Sequence, residues 1–236
     1  MGRFDKYIFK ETNYNINRFI RIGSGFIAYK LKNSKIMPEQ IVLAGLLIGM
    51  ISAFSYSFGA YPTAVFGSIL YMLAWFLDFV DGDLARITNR VSERGEWLDS
   101  VSGRILEMVI YFGVCWGLAR NYNPETVWTL GFFVIMLQHI IVSLMTKEAI
   151  LAIKSKKNYT DTKINMGTAQ NKIGILKTIL REFTIGTDIN GFIIILGGLT
   201  NKLMLALMLC LIYNVAYLLL RLIGAGKRYF LKTSSL

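Results

Sequence analysis

Four acidic residues stand at the borders between apolar and polar sequence. Asp78, Asp81 and Asp83 follow one another closely, and Asp99 lies eighteen residues after Asp81. Acids beside the hydrocarbon core of a membrane are costly, and they usually serve a function. These residues are therefore the first candidates for chemistry.

Helical spacing of about 100° per residue sorts these acids by face. Asp83 points elsewhere, whereas one face is shared by Asp78, Asp81, Gly82 and Ala85, with Arg86 at its margin. A following antiparallel helix would bring Asp99 to that face. Three converging carboxylates repel one another, and a divalent cation removes the repulsion, Mg²⁺ being the usual partner where phosphates are also present.

Two neighbours of these acids fit a phosphate ligand. Gly82 has no side chain, so a ligand can approach the backbone there. Arg86 offers a planar fork of donors suited to a diphosphate. The alternative is a salt-bridged helix end, in which Asp78, Asp81 and Arg86 only stabilise one another.

Long apolar stretches predict the elements that position these residues. The chain has 236 residues and only 17% are charged, against about 25% in soluble domains. Because a transmembrane helix needs roughly 20 apolar residues, we expect an all-α integral membrane fold with six transmembrane helices and an N-terminal interfacial helix. The predicted spans are 41–58, 61–79, 97–119, 126–147, 183–199 and 203–223. They imply an amphipathic cytoplasmic or interfacial segment over 1–38, a transmembrane domain over 39–223 and a cytoplasmic tail over 224–236.

The basic residues predict the orientation in the membrane. This arrangement sorts 24 of the 26 Lys and Arg residues to one side and leaves only Arg120 and Lys202 on the other. The positive-inside rule then places both termini in the cytoplasm of a multi-pass protein of the cytoplasmic (inner) cell membrane. With this apolar content, the net charge of +11 favours membrane lipids and topology signals over nucleic acid. The basic N-terminal segment is either a topology anchor or a lip that gathers an anionic lipid substrate.

Small residues inside the spans allow helices to approach closely. Gly45 and Gly49 form one such pattern, and Gly113 and Gly117 form another. The patterns serve either packing within one chain or a dimer interface, and we expect a homodimer. Cys115 and Cys210 lie in apolar stretches without a CxxC partner, so we interpret them as buried thiols.

The acidic motif as a whole resembles a known family. Asp78-Phe-Val-Asp81-Gly82-Asp-Leu-Ala85-Arg86, followed by Gly95 and Asp99, matches seven of the eight fixed positions of D-x2-D-G-x2-A-R-x8-G-x3-D-x3-D. This is the signature of the CDP-alcohol phosphatidyltransferases, integral membrane phospholipid synthases such as those that make phosphatidylinositol phosphate or phosphatidylglycerol phosphate.

The resemblance implies a reaction of phospholipid biosynthesis, catalysed by the domain over 39–223. A CDP-lipid would donate its phosphatidyl or archaetidyl group to the hydroxyl of a small polar acceptor, and CMP would leave. The resemblance implies Mg²⁺ or Mn²⁺ on Asp78, Asp81 and Asp99, and the nucleotide and diphosphate of the CDP-lipid on Gly82, Ala85, Gly95 and Arg86.

The eighth position of the signature departs from the family, because Gly103 stands where the family has an aspartate. In the family that aspartate is taken as the general base for the acceptor hydroxyl and as a further metal ligand. Gly103 is an introduced or accidental change in an active enzyme, or the chain is a natural relative with weak or no activity, or Glu107 substitutes one turn further along. Loss of a general base typically lowers a rate by about 10²–10⁴, so we expect an impaired enzyme.

The acceptor leaves a weaker signal at the inner ends of the later spans. Lys147, Arg181 and Arg221 would suit a phosphorylated polyol, such as inositol phosphate or glycerol phosphate, or they are only snorkelling anchors. Two rival functions are a non-catalytic CDP-lipid-binding membrane protein of the same fold and a small transporter. Transporters tend to place acids near the bilayer midplane, which disfavours the last.

Overall fold

The computed structural model of the protein describes residues 15–156 and 188–229. All secondary structure in these two ranges is α-helical, which confirms the predicted fold class. The helices described are α1 Asn15–Leu31, α2 Pro38–Tyr56, α3 Tyr61–Ile87, α4 Glu93–Leu118, α5 Pro124–Lys156, α6 Asp188–Leu199 and α7 Leu203–Tyr229.

The helices identify a multi-pass membrane protein. Among the described residues, five helices are long and apolar enough to cross a bilayer, namely α2, α3, α4, α5 and α7. Helix α6 is apolar but has only 12 described residues. The predicted span 183–199 begins outside the described ranges. A total of six transmembrane helices therefore stays a prediction.

The connection between α3 and α4 is much shorter than the predicted 80–96. It occupies residues 88–92, because α3 continues to Ile87 and α4 already begins at Glu93. Asn89 takes a left-handed conformation (φ 54°), and the Arg90 N–H donates to the Ala85 carbonyl at 2.8 Å. This pattern ends a helix and reverses the chain. Hydropathy marks the membrane-embedded part of a helix, so charged residues at the helix ends fell outside the predicted spans.

Helix α2 packs against both α3 and α4, and the backbones of α2 and α4 approach closely. A Cβ atom at Gly113 would overlap the Ala53 carbonyl oxygen, and one at Gly117 would overlap the Tyr56 carbonyl oxygen. A Cβ atom at Gly49 would overlap the Leu106 side chain. These glycines therefore serve packing within the chain.

The chain divides into two compact units. One comprises the described chain up to Trp128 together with Ile194–Met204, and the other comprises the described parts of Thr129–Ile193 and of the chain from Leu205 onward. Buried amides join helices of the second unit: Asn190 Nδ2 donates to Asn214 Oδ1 at 2.7 Å, and Asn214 Nδ2 donates to the Val134 carbonyl at 3.3 Å. Such pairing satisfies polar groups that an apolar interior would otherwise leave without partners.

The close approach of α2 and α4 can be tested at Gly113. Gly113→Ala forces the added Cβ into the α2 backbone, so we expect the free energy of unfolding to fall by about 1–3 kcal/mol. Gly103→Ala is the matched control on the same helix, because a Cβ there meets no atom within 4 Å. The control should leave stability unchanged or raise it by up to about 1 kcal/mol. Unfolding in detergent measures both, and equal stability of the two variants would contradict the packing.

Candidate functional site

Three carboxylates converge where the end of α3 meets the start of α4, at the helix ends that the sequence predicts to face the cytoplasm. Asp78 and Asp81 on α3 and Asp99 on α4 each offer one oxygen, and these oxygens lie within 4.8 Å of one another. Asp81 is only 6% exposed, and its Oδ2 has no hydrogen-bond partner among the described residues. The structure therefore brings together the three acids that helical spacing placed on facing helix ends.

This arrangement fits a divalent cation. Like charges so close repel, and a buried carboxylate oxygen without a partner is destabilising. Carboxylate oxygens are the ligands that Mg²⁺ and Mn²⁺ prefer, and Asp81 Oδ2 has an unused lone pair for one. In the salt-bridge alternative Arg86 would serve Asp78 and Asp81, but Arg86 forms an ion pair with Asp83 at 2.8 Å. Its positive charge is thus shared with a fourth carboxylate.

A pocket of about 160 Å³ adjoins the carboxylates. The site residues predicted from the sequence that line it are Asp81, Gly82, Ala85, Arg86, Gly95 and Asp99. Sequence reasoning missed Glu39 on α2 and Arg90 and Ser92 in the connection, which line it too. Charge alone would have suggested Arg90, whereas Glu39 reaches the pocket through tertiary packing that no local pattern reports.

Two glycines shape the pocket wall. A Cβ at Gly82 would lie 3.2 Å from Arg86 Nη2, so the guanidinium lies against the helix backbone at this point. A Cβ at Gly95 would lie 3.1 Å from Ser92 Oγ. Ser92 caps α4, because its hydroxyl oxygen accepts from the Gly95 N–H at 3.0 Å. Larger residues at either glycine would displace a polar group of the pocket.

Asp83 faces away from the other acids, as its position on the helix predicted. Its carboxylate is buried, and its Oδ2 accepts a hydrogen bond from Ser24 Oγ at 2.5 Å. Ser24 belongs to α1, so this contact joins the N-terminal helix to the helix that carries the acids. The partners are 59 residues apart in sequence, and no periodicity could have paired them.

The residues predicted for the acceptor belong to the second unit or lie outside the described part of the chain. Lys147 is exposed on α5. Arg221 on α7 pairs with Glu148 at 2.7 Å and donates to the Tyr217 hydroxyl at 3.1 Å. Both belong to the second unit. Arg181 lies outside the described residues.

Gly103 lies on α4 one turn beyond Asp99. It is exposed, and a Cβ there would meet no atom of the described residues within 4 Å, so packing among these residues does not require a glycine. Glu107, one turn further, forms an ion pair with Arg104 at 2.9 Å. The position therefore has room for an acidic side chain, while the proposed substitute is engaged with a cation.

Comparison with known proteins assigns the family. A profile described as CDP-alcohol phosphatidyltransferase matches residues 35–223, and the chain belongs to this family. The bifunctional IPC transferase and DIPP synthase of Aquifex aeolicus is 29% identical over 150 residues, which are 58% of this chain and 33% of that protein. The archaetidylinositol phosphate synthase of Pyrococcus horikoshii is 28% identical over 109 residues, 46% of this chain and 56% of that protein. The chain thus spans about a third to a half of these curated relatives.

A solved structure shares the fold. The crystal structure of the phosphatidylinositol phosphate synthase of Mycobacterium tuberculosis, with CDP-DAG bound, matches with a TM-score of 0.60 at 16% identity. The match covers 87% of this chain and 94% of that chain. The helical arrangement is therefore one that a membrane phospholipid synthase also adopts.

The carboxylate cluster makes a prediction about stability. Asp81→Asn removes one of three mutually repelling charges, so without metal the variant should unfold at a higher temperature than the unaltered protein. Mg²⁺ or Mn²⁺ at about 100 times its Kd should stabilise the unaltered protein by about 2.7 kcal/mol, and the variant far less. Thermal unfolding in detergent, in EDTA and in either metal, measures both effects.

Glu93→Gln provides the control, since Glu93 is an exposed acid at the start of α4 and lies outside the cluster. It should respond to metal like the unaltered protein. A full metal response in Asp81→Asn would remove Asp81 from the set of ligands.

Proposed function

We propose that this chain transfers a phosphatidyl or archaetidyl group from a CDP-lipid to the hydroxyl of a small polar acceptor and releases CMP. The observation that carries the proposal is the convergence of Asp78, Asp81 and Asp99 beside a pocket lined by the other motif residues. Family membership over residues 35–223 supports the same reaction class.

The reaction is a substitution at phosphorus. The acceptor oxygen forms a bond to the phosphorus that carries the lipid, and the bond from that phosphorus to the bridging oxygen breaks. CMP leaves with the bridging oxygen and the bonding electrons, and the acceptor proton passes to a base. Asp78, Asp81 and Asp99 would hold Mg²⁺ or Mn²⁺, which when bound neutralises charge on the diphosphate.

Other residues of the pocket wall bind and orient the donor in this proposal. Arg86 donates to the diphosphate, and Arg90 adds a second positive charge at the pocket wall. Gly82 and Gly95 leave the wall open for the nucleotide. Correct alignment of the donor and the acceptor supplies much of the rate in such transfers.

We also propose that the site opens to the cytoplasm and that both termini lie there. The support is the distribution of Lys and Arg, since only Arg120 and Lys202 fall at the opposite helix ends.

Added cysteines test this orientation. The native thiols of Cys115 and Cys210 are buried and provide a low background. With a membrane-impermeant maleimide on intact cells, Thr200→Cys should be labelled, and Asn33→Cys only after the membrane is permeabilised; both positions are exposed. The reverse order would invert the proposed orientation.

Inositol phosphate is the acceptor that we propose, with glycerol phosphate as the alternative. The Pyrococcus horikoshii relative is named as an archaetidylinositol phosphate synthase, and the structural neighbour as a phosphatidylinositol phosphate synthase. Lys147, Arg181 and Arg221 are proposed to bind the acceptor phosphate. Because Arg221 is paired with Glu148, an acceptor phosphate at Arg221 must share the guanidinium with that carboxylate.

Gly103 favours a second candidate function, in which the chain binds CDP-lipid without turning it over. The position offers neither a base nor a metal ligand.

A homodimer is proposed for either function, although Gly49, Gly113 and Gly117, which suggested an interface, are used for packing within the chain.

Restoring an acid at position 103 separates these functions. Gly103→Asp places a carboxylate one turn from Asp99 in open space, so we expect CMP release from CDP-lipid to rise at least tenfold, within the range of about 10²–10⁴ that a general base supplies. Gly103→Asn is the control, since it adds the same volume without a base. CMP formation is measured with an acceptor screen in Mg²⁺ or Mn²⁺ and in EDTA.

The outcomes differ for the two functions. Metal-dependent release that is low in the unaltered chain and high in Gly103→Asp supports a transferase impaired at this position. Metal-dependent CDP-lipid binding with no turnover in either form selects the non-catalytic protein. Flat or lower activity in Gly103→Asp, with intact folding and donor binding, counts against an impairment caused by Gly103.

A further inference from the structure

Arg86 is a long, partly exposed cation at the wall of the pocket. Its side chain is 46% exposed, and it lines the pocket beside Asp81. An arginine side chain carries about 2 kcal/mol of rotamer entropy, so a free guanidinium would lose affinity by being ordered on binding. What restrains Arg86 before a ligand arrives therefore affects how well it binds a phosphate.

A buried carboxylate supplies this restraint. Asp83 is only 4% exposed, and each of its oxygens accepts from a different partner. Oδ1 accepts from Arg86 Nη2 at 2.8 Å, and Oδ2 accepts from Ser24 Oγ at 2.5 Å. Rotation of the carboxylate would break both bonds, which is unfavourable for a buried charge.

Packing fixes Ser24 in turn. Ser24 is completely buried on α1, and Ala28, one turn further along, packs with Val80 and Leu84 in the core. Helix α1 is thus fixed to α3 on the side that Asp83 faces. On the other side of the guanidinium, the missing side chain of Gly82 leaves the space in which Arg86 lies.

We infer that Asp83 is a positioning residue that, with Ser24, holds the Arg86 guanidinium toward the pocket and so sets the affinity for the diphosphate of a cytidine nucleotide. The inference rests on the proposed function, because it takes the CDP part of the donor as the ligand. The guanidinium has five N–H donors, so pairing through Nη2 leaves donors for the phosphates. Asp83 occupies a variable position of the family signature, which is why the motif alone does not indicate it.

Simple electrostatics predicts the opposite effect. If Asp83 acted only by its charge, its neutralisation would strengthen binding of any anion nearby, CDP and CMP alike. If Asp83 only stabilised the fold, its loss would weaken the binding of CDP and of CMP to the same degree. Positioning of Arg86 predicts a loss that is selective for the diphosphate.

The test is a double-mutant cycle on the full chain in detergent with Mg²⁺, in which calorimetry measures the Kd of CDP and of CMP. Asp83→Asn should weaken CDP about tenfold, or roughly 1.4 kcal/mol, and CMP less than twofold. Arg86→Ala should weaken CDP binding at least as much. The double variant, which combines Asp83→Asn with Arg86→Ala, should bind CDP no more weakly than Arg86→Ala alone. Ser24→Ala, which changes no charge, should weaken CDP about threefold.

Glu93→Gln is the control for loss of a negative charge and should change neither Kd, since Glu93 lies outside the pocket and the carboxylate cluster. Thermal unfolding identifies variants that do not fold. If Asp83→Asn does not fold, the Kd of CDP and of CMP for Ser24→Ala is used to test the inference instead. Three results would each overturn the inference. They are losses of CDP-binding free energy that add in the double variant, equal losses of CDP and CMP affinity in Asp83→Asn, or tighter CDP binding in Asp83→Asn. If the unaltered protein does not bind CDP with Mg²⁺, the proposed function fails, and this inference fails with it.

Discussion

The site depends on holding three like charges together against their repulsion. Asp78 and Asp81 on one helix and Asp99 on the next lie with oxygens within 4.8 Å of one another, and one oxygen of Asp81 is buried without a hydrogen-bond partner in the described part of the chain. The mutual repulsion opposes this arrangement, so packing elsewhere helps to maintain it. The close backbone contact of α2 with α4, at Gly113 and Gly117, provides that packing toward the other end of α4. Stability and reactivity thus come from opposite ends of the same helices.

Helix α4 shows this separation within a single element. Near its apolar end a glycine is required, because any side chain at Gly113 would enter the α2 backbone. Near its polar end, a Cβ at Gly103 would meet no atom within 4 Å among the residues that the structure describes, and these residues place no steric demand on it. The same residue type therefore has a structural cause at one position and none at the other. A departure from the family signature at position 103 is free to affect chemistry without affecting the fold.

Local periodicity predicted most of the site and less of the fold. The 3.6-residue repeat placed Asp78, Asp81, Gly82 and Ala85 together, and an antiparallel neighbour was enough to bring Asp99 to them. The all-helical class followed from apolar lengths. The helix ends did not follow from apolar lengths, because the segment 80–87, which contains three charged residues, continues α3 beyond the apolar stretch. The glycine patterns were ambiguous until their neighbours were known. The Ser24–Asp83 bond and the position of Glu39 arise from tertiary packing, which no local pattern encodes.

The five-residue connection between α3 and α4 has a consequence for how this part of the chain can vary. Asn89, in a left-handed conformation, ends the first helix, and Ser92 caps the second. These two residues fix how the five-residue connection joins the helices. One inserted residue within either flanking turn would rotate everything beyond it by about 100°, carrying Asp99 away from its partners. Length variation among homologous sequences should therefore be absent here and concentrated in other loops. The spacing of the motif is as much a part of the site as its side chains.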